Sequence, residues 1–433
     1  MAQKKILVTG GQGFIGSNLI RRLMKNHPDW FIMNLDKLTY AGNPQNLKDI
    51  DKSPHYIFVE GDVGIKQDVD SLINIEGPDC VIHMAAESHV DRSICGYSDE
   101  FIRTNIVGTY NVLNACMSAG IKKIIYVSTD EVYGSQDSGE FVKEDANLNP
   151  SSIYSASKAS GDLLAMAFYK TFKLPVVITR SSNNFGPYQY PEKFIPLMIT
   201  NILEDKKVPI YGDGENVRDW LYVDDNCAAI EMLVDKGVPG EIYNIAANNE
   251  LTNLEVVDII RDVLDINEDV IEFVKDRPGH DFRYAMDTSK IKLLGWNPKY
   301  KANKLRQAFK ETVNWYLDNE KWWREIRSGE YKKYYNKQYN TEAPSQRSML
   351  TNEDNSKFMF KKKSFSDSKK IDETEEEKKV EEEISEEKPE DTDETEEISE
   401  EDTEKEETDE DEEDDDVEEE DEEDQEEDDE VEV

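Results

Sequence analysis

The sequence predicts an α/β protein: a doubly wound parallel sheet, a smaller mixed α/β lobe after it, and a disordered acidic tail. Three observations carry this. Short apolar runs alternate with helical patterns through the first part of the chain, which means a parallel sheet covered on both faces. The rhythm loosens after Pro187. The charge then changes abruptly: residues 341–433 hold 11 Lys+Arg and 47 Asp+Glu (net −36), whereas residues 1–340 hold 40 and 48 (net −8). The boundaries predicted are 1–190, 191–340 and 341–433.

The elements follow in order. "KKILVTGGQGFIGSNLIRRLM" is an apolar strand, a break at glycines, then apolar residues at helical spacing (Ile15, Leu19, Ile20, Leu23). "WFIMNLD", "YIFVEGD", "CVIHMAAE", "KKIIYVSTDEVYG" and "PVVITRSSNNFGP" read as five further strands. "DEFIRTNIVGTYNVLNACMSAG" and "SSIYSASKASGDLLAMAFYKTF" read as helices between them. In the second lobe, "EKFIPLMITNILED" reads as a helix, "YGDGEN" as a turn and "GEIYNIAA" as a strand. "LRQAFKETVNWYLDNEKWWREI" reads as one late amphipathic helix.

From about Ser366 the chain is mostly Glu, Asp, Ser, Thr and Lys. Such a segment cannot bury enough apolar surface to offset its ordering entropy. It is either a solvated extension or an interaction tail for a basic partner. Acidity throughout argues against nucleic-acid binding. Cys80, Cys95, Cys116 and Cys227 are scattered with no CxxC pair, so reduced thiols are expected and a zinc site is not. With no signal peptide pattern and no apolar run of transmembrane length, a cytoplasmic protein is expected.

"TGGQGFIG" carries Gly10, Gly11, Gly13 and Gly16 between a strand and a helix. Backbone without side chains at a helix mouth, with free N–H groups and the helix dipole, can hold a pyrophosphate. Asp36 ends the next strand, where an acid accepts hydrogen bonds from a ribose and repels a 2′-phosphate. This is the pattern of a Rossmann-like domain that binds NAD rather than NADP. Asp62, ending the third strand, fits an adenine contact or a helix N-cap equally well.

Tyr154 and Lys158 are four apart on a helix and share a face. A nearby ammonium and the cofactor's positive ring are expected to lower the tyrosine's pKa, so that it can take a proton from a sugar hydroxyl. The fifth strand ends in Thr129, Asp130 and Glu131. Adjacent carboxyls in a closed pocket cannot both ionise cheaply, so one should keep its proton; which one is open.

"TGGQGFIGSNL", "AAESHVDRSI", "VSTDEVYG", "YSASKA", "NNFGPYQYPEKFIPLMI", "YGDGENVRDWLYVDD" and "DRPGHDFRYAMD" together resemble the extended short-chain dehydrogenase/reductases. Within them the chain is similar to the dTDP-glucose 4,6-dehydratases, from about Lys4 to Tyr339. The resemblance implies C4 oxidation of a nucleotide-diphosphate glucose, water elimination across C5–C6 and hydride return to C6. It implies Asp130 as acid, Glu131 as base and Thr129 near the C4 oxygen. It implies an NAD site of Gly10, Gly13, Phe14, Ile15, Gly16, Asp36, Lys37, Asp62, Val63, Ala85, Ala86, Thr104, Tyr154, Lys158 and Asn184. For the nucleotide sugar it implies Asn183, Lys193, Arg218, Arg277 and His280, with Ser88, Asn253 and Tyr339 as weaker matches. It also implies a homodimer paired through the two helices that flank the fifth strand. UDP-glucose is the nearest alternative substrate. A 4-epimerase or a decarboxylase has no use for the paired carboxyls, and an inactive scaffold no use for the intact catalytic set.

Overall fold

The computed structural model describes residues 3–329 apart from Cys95 and Ser138. Tyr339 and the acidic segment 341–433 therefore lie outside the described residues.

The strands are β1 (Lys5–Thr9), β2 (Phe31–Asp36), β3 (Tyr56–Glu60), β4 (Cys80–His83), β5 (Ile124–Thr129), β6 (Val176–Ser181), β7 (Asn183–Phe185), β8 (Val208–Tyr211), β9 (Val217–Tyr222), β10 (Ile242–Ile245), β11 (Glu250–Thr252) and β12 (Ile271–Val274). Seven form one sheet in the order β10-β6-β5-β4-β1-β2-β3. Every neighbouring pair in it is parallel. The order reverses between β1 and β4, and such a switch point opens a crevice beyond the strand ends. "GEIYNIAA", assigned by its position to the second lobe, supplies β10 of this main sheet. Its run Tyr243, Asn244, Ile245 is buried. β10 is the edge strand, paired only with β6, and a run buried on both faces suits a parallel sheet that is covered on both sides.

Two apolar cores lie on the sheet's faces. One packs Leu19, Ile20 and Leu23 of the Phe14–Asn26 helix and Ile230 and Leu233 of the Val223–Lys236 helix against Ile6, Val8 and Ile82. The other packs Val112, Cys116, Ala165 and Phe168 against Leu7, Val81, Ile124 and Ile178. A third core, with Phe185, Met198, Trp220, Phe309 and Trp323, fills the C-terminal part around the mixed sheet β11-β9-β7 and the pair β12-β8.

Two helices differ from the pattern reading. The stretch 98–118 is not one α-helix: Ile102–Gly108 is π-helical between Ser98–Phe101 and Thr109–Ser118. The late amphipathic helix is two, Leu305–Asp318 and Glu320–Ser328, broken at Asn319. The break turns Trp323 back, so that its indole N–H donates to the Tyr316 carbonyl at 2.9 Å and its ring is fully buried. Among the described residues no helix is long and apolar enough to cross a membrane. Cys80, Cys116 and Cys227 are free and buried.

Candidate active site

At the switch point, glycines make the floor of a cleft. Gly10 has φ +76°, and an added Cβ would lie 2.7 Å from the Ala85 Cα. A Cβ on Gly16 would lie 2.3 Å from the Gly10 carbonyl oxygen, and one on Gly11 2.2 Å from the Asn34 side-chain oxygen. Gly10, Gly11 and Gly16 are therefore residues that packing demands. Gly13 differs: an added Cβ would meet only the Gly10 oxygen, at 3.3 Å, and would project into the cleft. Gly13 is also the N-cap of the Phe14–Asn26 helix and supplies no side chain to its first N–H groups. A bare, uncapped helix mouth is what a pyrophosphate needs.

The cleft holds about 1260 Å³, part of it open to solvent. Gly10, Gly13, Phe14, Ile15, Gly16, Asp36, Lys37, Asp62, Val63, Ala85, Ala86, Thr104, Tyr154 and Lys158 all line it. Asp36 accepts from the backbone N–H of Gln12 at 2.9 Å and of Leu38 at 2.8 Å, which fixes its carboxylate at the strand end. Asp62 is not a helix N-cap, because Ile65 holds that position. Its carboxylate accepts from Gly64 N–H at 2.8 Å and from Arg103 at 3.1 Å, and pairs with Lys37 at 3.0 Å. Asn184 is not among the lining residues: its amide donates to the Ser182 carbonyl at 2.9 Å. The bare helix mouth and the anchored acid at the strand end fit a dinucleotide.

A second cleft adjoins the first and shares Ser88, Glu192 and Lys193 with it. Glu131, Asn183, Arg218, Asn253, Arg277 and His280 line it. Arg218 is held by the carbonyls of Val217 at 2.8 Å, Phe282 at 3.0 Å and Asp281 at 2.8 Å, with its guanidinium over the Tyr284 ring. Arg277 donates to Asp91 at 3.2 Å, and its Nε is buried without a partner. Lys193 donates to the Ser88 carbonyl at 2.6 Å. His280 bonds Asp276 at 2.7 Å; burial and then Arg277 pull its pKa down to about 4.

Between the clefts stands the end of β5. Thr129 caps the short turn Asp130–Tyr133 and donates to the Asp130 carboxyl at 3.1 Å. Asp130 is buried and its other oxygen has no partner. Burial, then the neighbouring Glu131, pushes its pKa up to about 8. Burial raises Glu131 as well, but Arg277, Lys193 and Arg218 all favour its ionised form. These three cations favour the charge on Glu131 and so the proton on Asp130. Thr129 and Asp130 do not line the second cleft; Glu131 does.

Tyr154 and Lys158 come from the Ile153–Phe172 helix, started by a reciprocal Ser152–Ser155 capping box. The expected lowering of the tyrosine's pKa is not what the protein groups give. Burial, then Glu131, pushes the Tyr154 phenol up. The Lys158 ammonium is engaged elsewhere: it donates to the Val127 carbonyl at 2.7 Å and lies 4.3 Å from the Tyr126 ring centroid. Burial brings Lys158 itself down to about 8.

Several residues of the clefts escaped the pattern reading. Glu192 accepts from the Tyr40 hydroxyl at 2.9 Å, and burial pushes it up to about 7. Its position next to Lys193 in "PEKF" was the available signal. Asp91 accepts from Arg277 and from the Tyr211 hydroxyl at 3.1 Å. Glu87 and Tyr190 line the first cleft and Tyr284 the second.

Comparisons with known proteins agree with this geometry. A family model described as GDP-mannose 4,6 dehydratase matches residues 7–309. A dTDP-glucose 4,6-dehydratase of Neisseria meningitidis serogroup B is 46% identical over 351 residues, covering 76% of this chain and 98% of the relative. The crystal structure of dTDP-glucose 4,6-dehydratase from Bacillus anthracis in complex with NAD is 46% identical, with a TM-score of 0.69, covering 75% of this chain and 99% of that one. DesIV, the dTDP-glucose 4,6-dehydratase of Streptomyces venezuelae, solved with NAD and TYD bound, is 45% identical with a TM-score of 0.71, covering 74% of this chain and 99% of that one. A glycine-floored dinucleotide cleft, a Tyr–Lys helix and a split carboxyl pair, in a chain this similar along nearly the whole length of those enzymes, make it a member of the dTDP-glucose 4,6-dehydratase family of extended short-chain dehydrogenase/reductases.

Proposed function

We propose that the protein converts dTDP-glucose to dTDP-4-keto-6-deoxyglucose, as an NAD-dependent hydro-lyase. The observation that carries this is the Asp130–Glu131 pair at the end of β5: Asp130 is buried, Glu131 opens on the second cleft, and the cations around Glu131 set the two carboxyls apart. An epimerase needs no such pair.

NAD, when bound in the first cleft, supplies reversible acceptance of a hydride. Gly13 would leave room for its pyrophosphate on the tight turn that Gly10 and Gly16 allow, and Asp36 would meet the adenosine ribose. Tyr154 takes the C4 hydroxyl proton. Its raised pKa means that the phenolate forms only with cationic help, from Lys158 and from the cofactor's ring. The Thr129 hydroxyl, turned from Asp130, donates to the C4 oxygen. With C4 a carbonyl, the C5 proton is acidic and Glu131 removes it. Asp130 gives its proton to the leaving C6 hydroxyl, which departs as water. Arg218, Arg277 and Lys193 pair with the diphosphate, for which forked guanidinium donors suit phosphate oxygens. Asn183, Asn253, Ser88 and His280 complete the sugar and nucleotide contacts.

Residues 1–190 act as the cofactor domain and 191–340 as the substrate lobe, with β10 returning to the main sheet. The protein is a homodimer. Ile102, Val107, Tyr110, Leu163 and Phe172 are large apolar side chains exposed on the two helical segments that flank β5, and a second copy covers such a face. Three buried free thiols suit the cytoplasm. The test is to incubate the protein separately with dTDP-glucose and UDP-glucose and follow the alkali-induced absorbance of 4-keto-6-deoxy sugars. Product from dTDP-glucose, with NAD needed only in catalytic amount, is expected. Stoichiometric accumulation of NADH, or no product from dTDP-glucose, contradicts the proposal.

A further inference from the structure

Behind the catalytic groups runs a buried polar chain that touches neither cleft. Asp162 is one helical turn beyond Lys158, on the same face of the Ile153–Phe172 helix. Its carboxylate accepts from Arg180 Nε at 2.7 Å. The two side chains are 1% and 4% exposed, so this is an ion pair inside the core. Arg180 belongs to β6 and is the register partner of Ser128, the residue before Thr129. Its Nη1 donates to the Tyr133 hydroxyl at 2.6 Å, and its guanidinium lies 4.6 Å from the Tyr133 ring centroid. The Tyr133 hydroxyl donates in turn to the Asn244 side-chain oxygen at 2.8 Å, on β10. Tyr133 closes the short turn that begins with Asp130 and Glu131.

We infer that Asp162, Arg180 and Tyr133 are positioning residues, which tie the helix carrying Tyr154 and Lys158 to the turn carrying Asp130 and Glu131. The inference rests on the dehydratase reading, because only that chemistry needs both groups set on one sugar. A buried ion pair is a poor stabiliser compared with apolar side chains of similar volume. Stability alone is therefore a weak account of this pair. Geometry is a better one. Arg180 has a planar fork whose Nε and Nη1 reach two elements in fixed directions, a rigidity that a point-like ammonium lacks. The Asp162 carboxylate also favours the charged form of Lys158 against its burial.

The test uses the full-length, NAD-loaded protein and two variants. Tyr133→Phe keeps the ring and removes the hydroxyl; Arg180→Lys keeps the charge and removes the fork. Amide hydrogen exchange at residues 130–133 is expected to speed up by about ten-fold in both, with the melting temperature of Tyr133→Phe close to wild type. Their kcat on dTDP-glucose is expected to fall by about 10- to 100-fold at unchanged KM, the scale of a misplaced reacting group. Exchange in the turn unchanged in Tyr133→Phe, or kcat close to wild type there, overturns the inference. Exchange is read without substrate. A wild-type protein inactive on dTDP-glucose therefore counts against the dehydratase reading, while the exchange rates still decide whether the turn is held by this chain.

Discussion

The two clefts meet at Ser88, Glu192 and Lys193 but are built from different material. The cofactor side is largely backbone: glycines too tightly packed for a side chain, an uncapped helix mouth, and strand ends whose acids are anchored by main-chain N–H groups. The substrate side is side chains. Asp91, Glu131, Lys193, Arg218 and Arg277 converge from separate segments, and their charges act on one another across the cleft. A backbone site binds by shape, and it fails when a Cβ is added. A side-chain site does chemistry by balancing charges, and it fails when one charge is removed.

The largest expected effect lies on the substrate side. Asp130→Asn should lower kcat by about 10²–10⁴-fold, the usual range for a general acid, while NAD stays bound. The same group sets a pH limit. Asp130 must be protonated to act as acid, and its pKa is pushed up to about 8. Lys158, brought down to about 8, loses its charge over the same range. Both losses reduce the rate, so kcat should fall as pH rises through about 8. A pH–rate profile still rising there would show that neither group is held as described.

Next is Arg277→Ala. It removes a forked cation from the substrate cleft and leaves Asp91 without that partner. A charged hydrogen bond is worth about 1.5–3 kcal/mol, so KM should rise by about 10- to 100-fold. Steady-state kinetics should show most of the loss in KM. A loss confined to kcat would mean that Arg277 acts on the reacting atoms.

On the cofactor side, two alanines should separate. Gly16→Ala drives a Cβ to 2.3 Å from the Gly10 carbonyl oxygen and should cost stability, by about 1–3 kcal/mol, as well as NAD. Gly13→Ala meets no such wall and should lose NAD affinity at wild-type stability. Thermal melts with and without NAD distinguish the two. Equal destabilisation would mean that Gly13 is also a packing residue.

The smallest effect is expected from the acidic tail. A chain ended near Glu342 should keep its NAD and its turnover, because every residue lining the two clefts precedes that point. A large loss of turnover would bring the tail into the chemistry.

The contrast between the clefts also explains what the sequence discloses. A glycine turn, a strand end and a Tyr–Lys pair four apart are local patterns of letters, and each follows from backbone geometry within one βα unit. The parallel sheet is legible for the same reason, since its strands are continuous apolar runs. Other features are tertiary. Nothing local separates a π-helical stretch at Ile102–Gly108 from an α-helical one, because the apolar spacing barely changes. The break at Asn319 interrupts an amphipathic pattern that continues through it; it is the burial of Trp323 that decides it. The partners of Arg277 and Glu192 are remote in the chain, at Asp91 and Tyr40. The protonation of the carboxyl pair needed the three cations around Glu131, which no spacing rule brings together. The direction expected for Tyr154 failed likewise, because Lys158 is turned to the Val127 carbonyl.

The division of labour between Asp130 and Glu131 is tested most directly by solvent deuterium at C5 of the sugar. Glu131→Gln, incubated with dTDP-glucose in deuterated water, should still oxidise C4, because Tyr154 and Lys158 are intact. It should incorporate no deuterium at C5, because the base is gone. Asp130→Asn, slow in losing the C6 hydroxyl, should still exchange C5. That pattern is the predicted result. Deuterium entering C5 in Glu131→Gln as fast as in wild type would mean that another group takes the proton, and that the carboxyl pair at the end of β5 does not divide the work as acid and base.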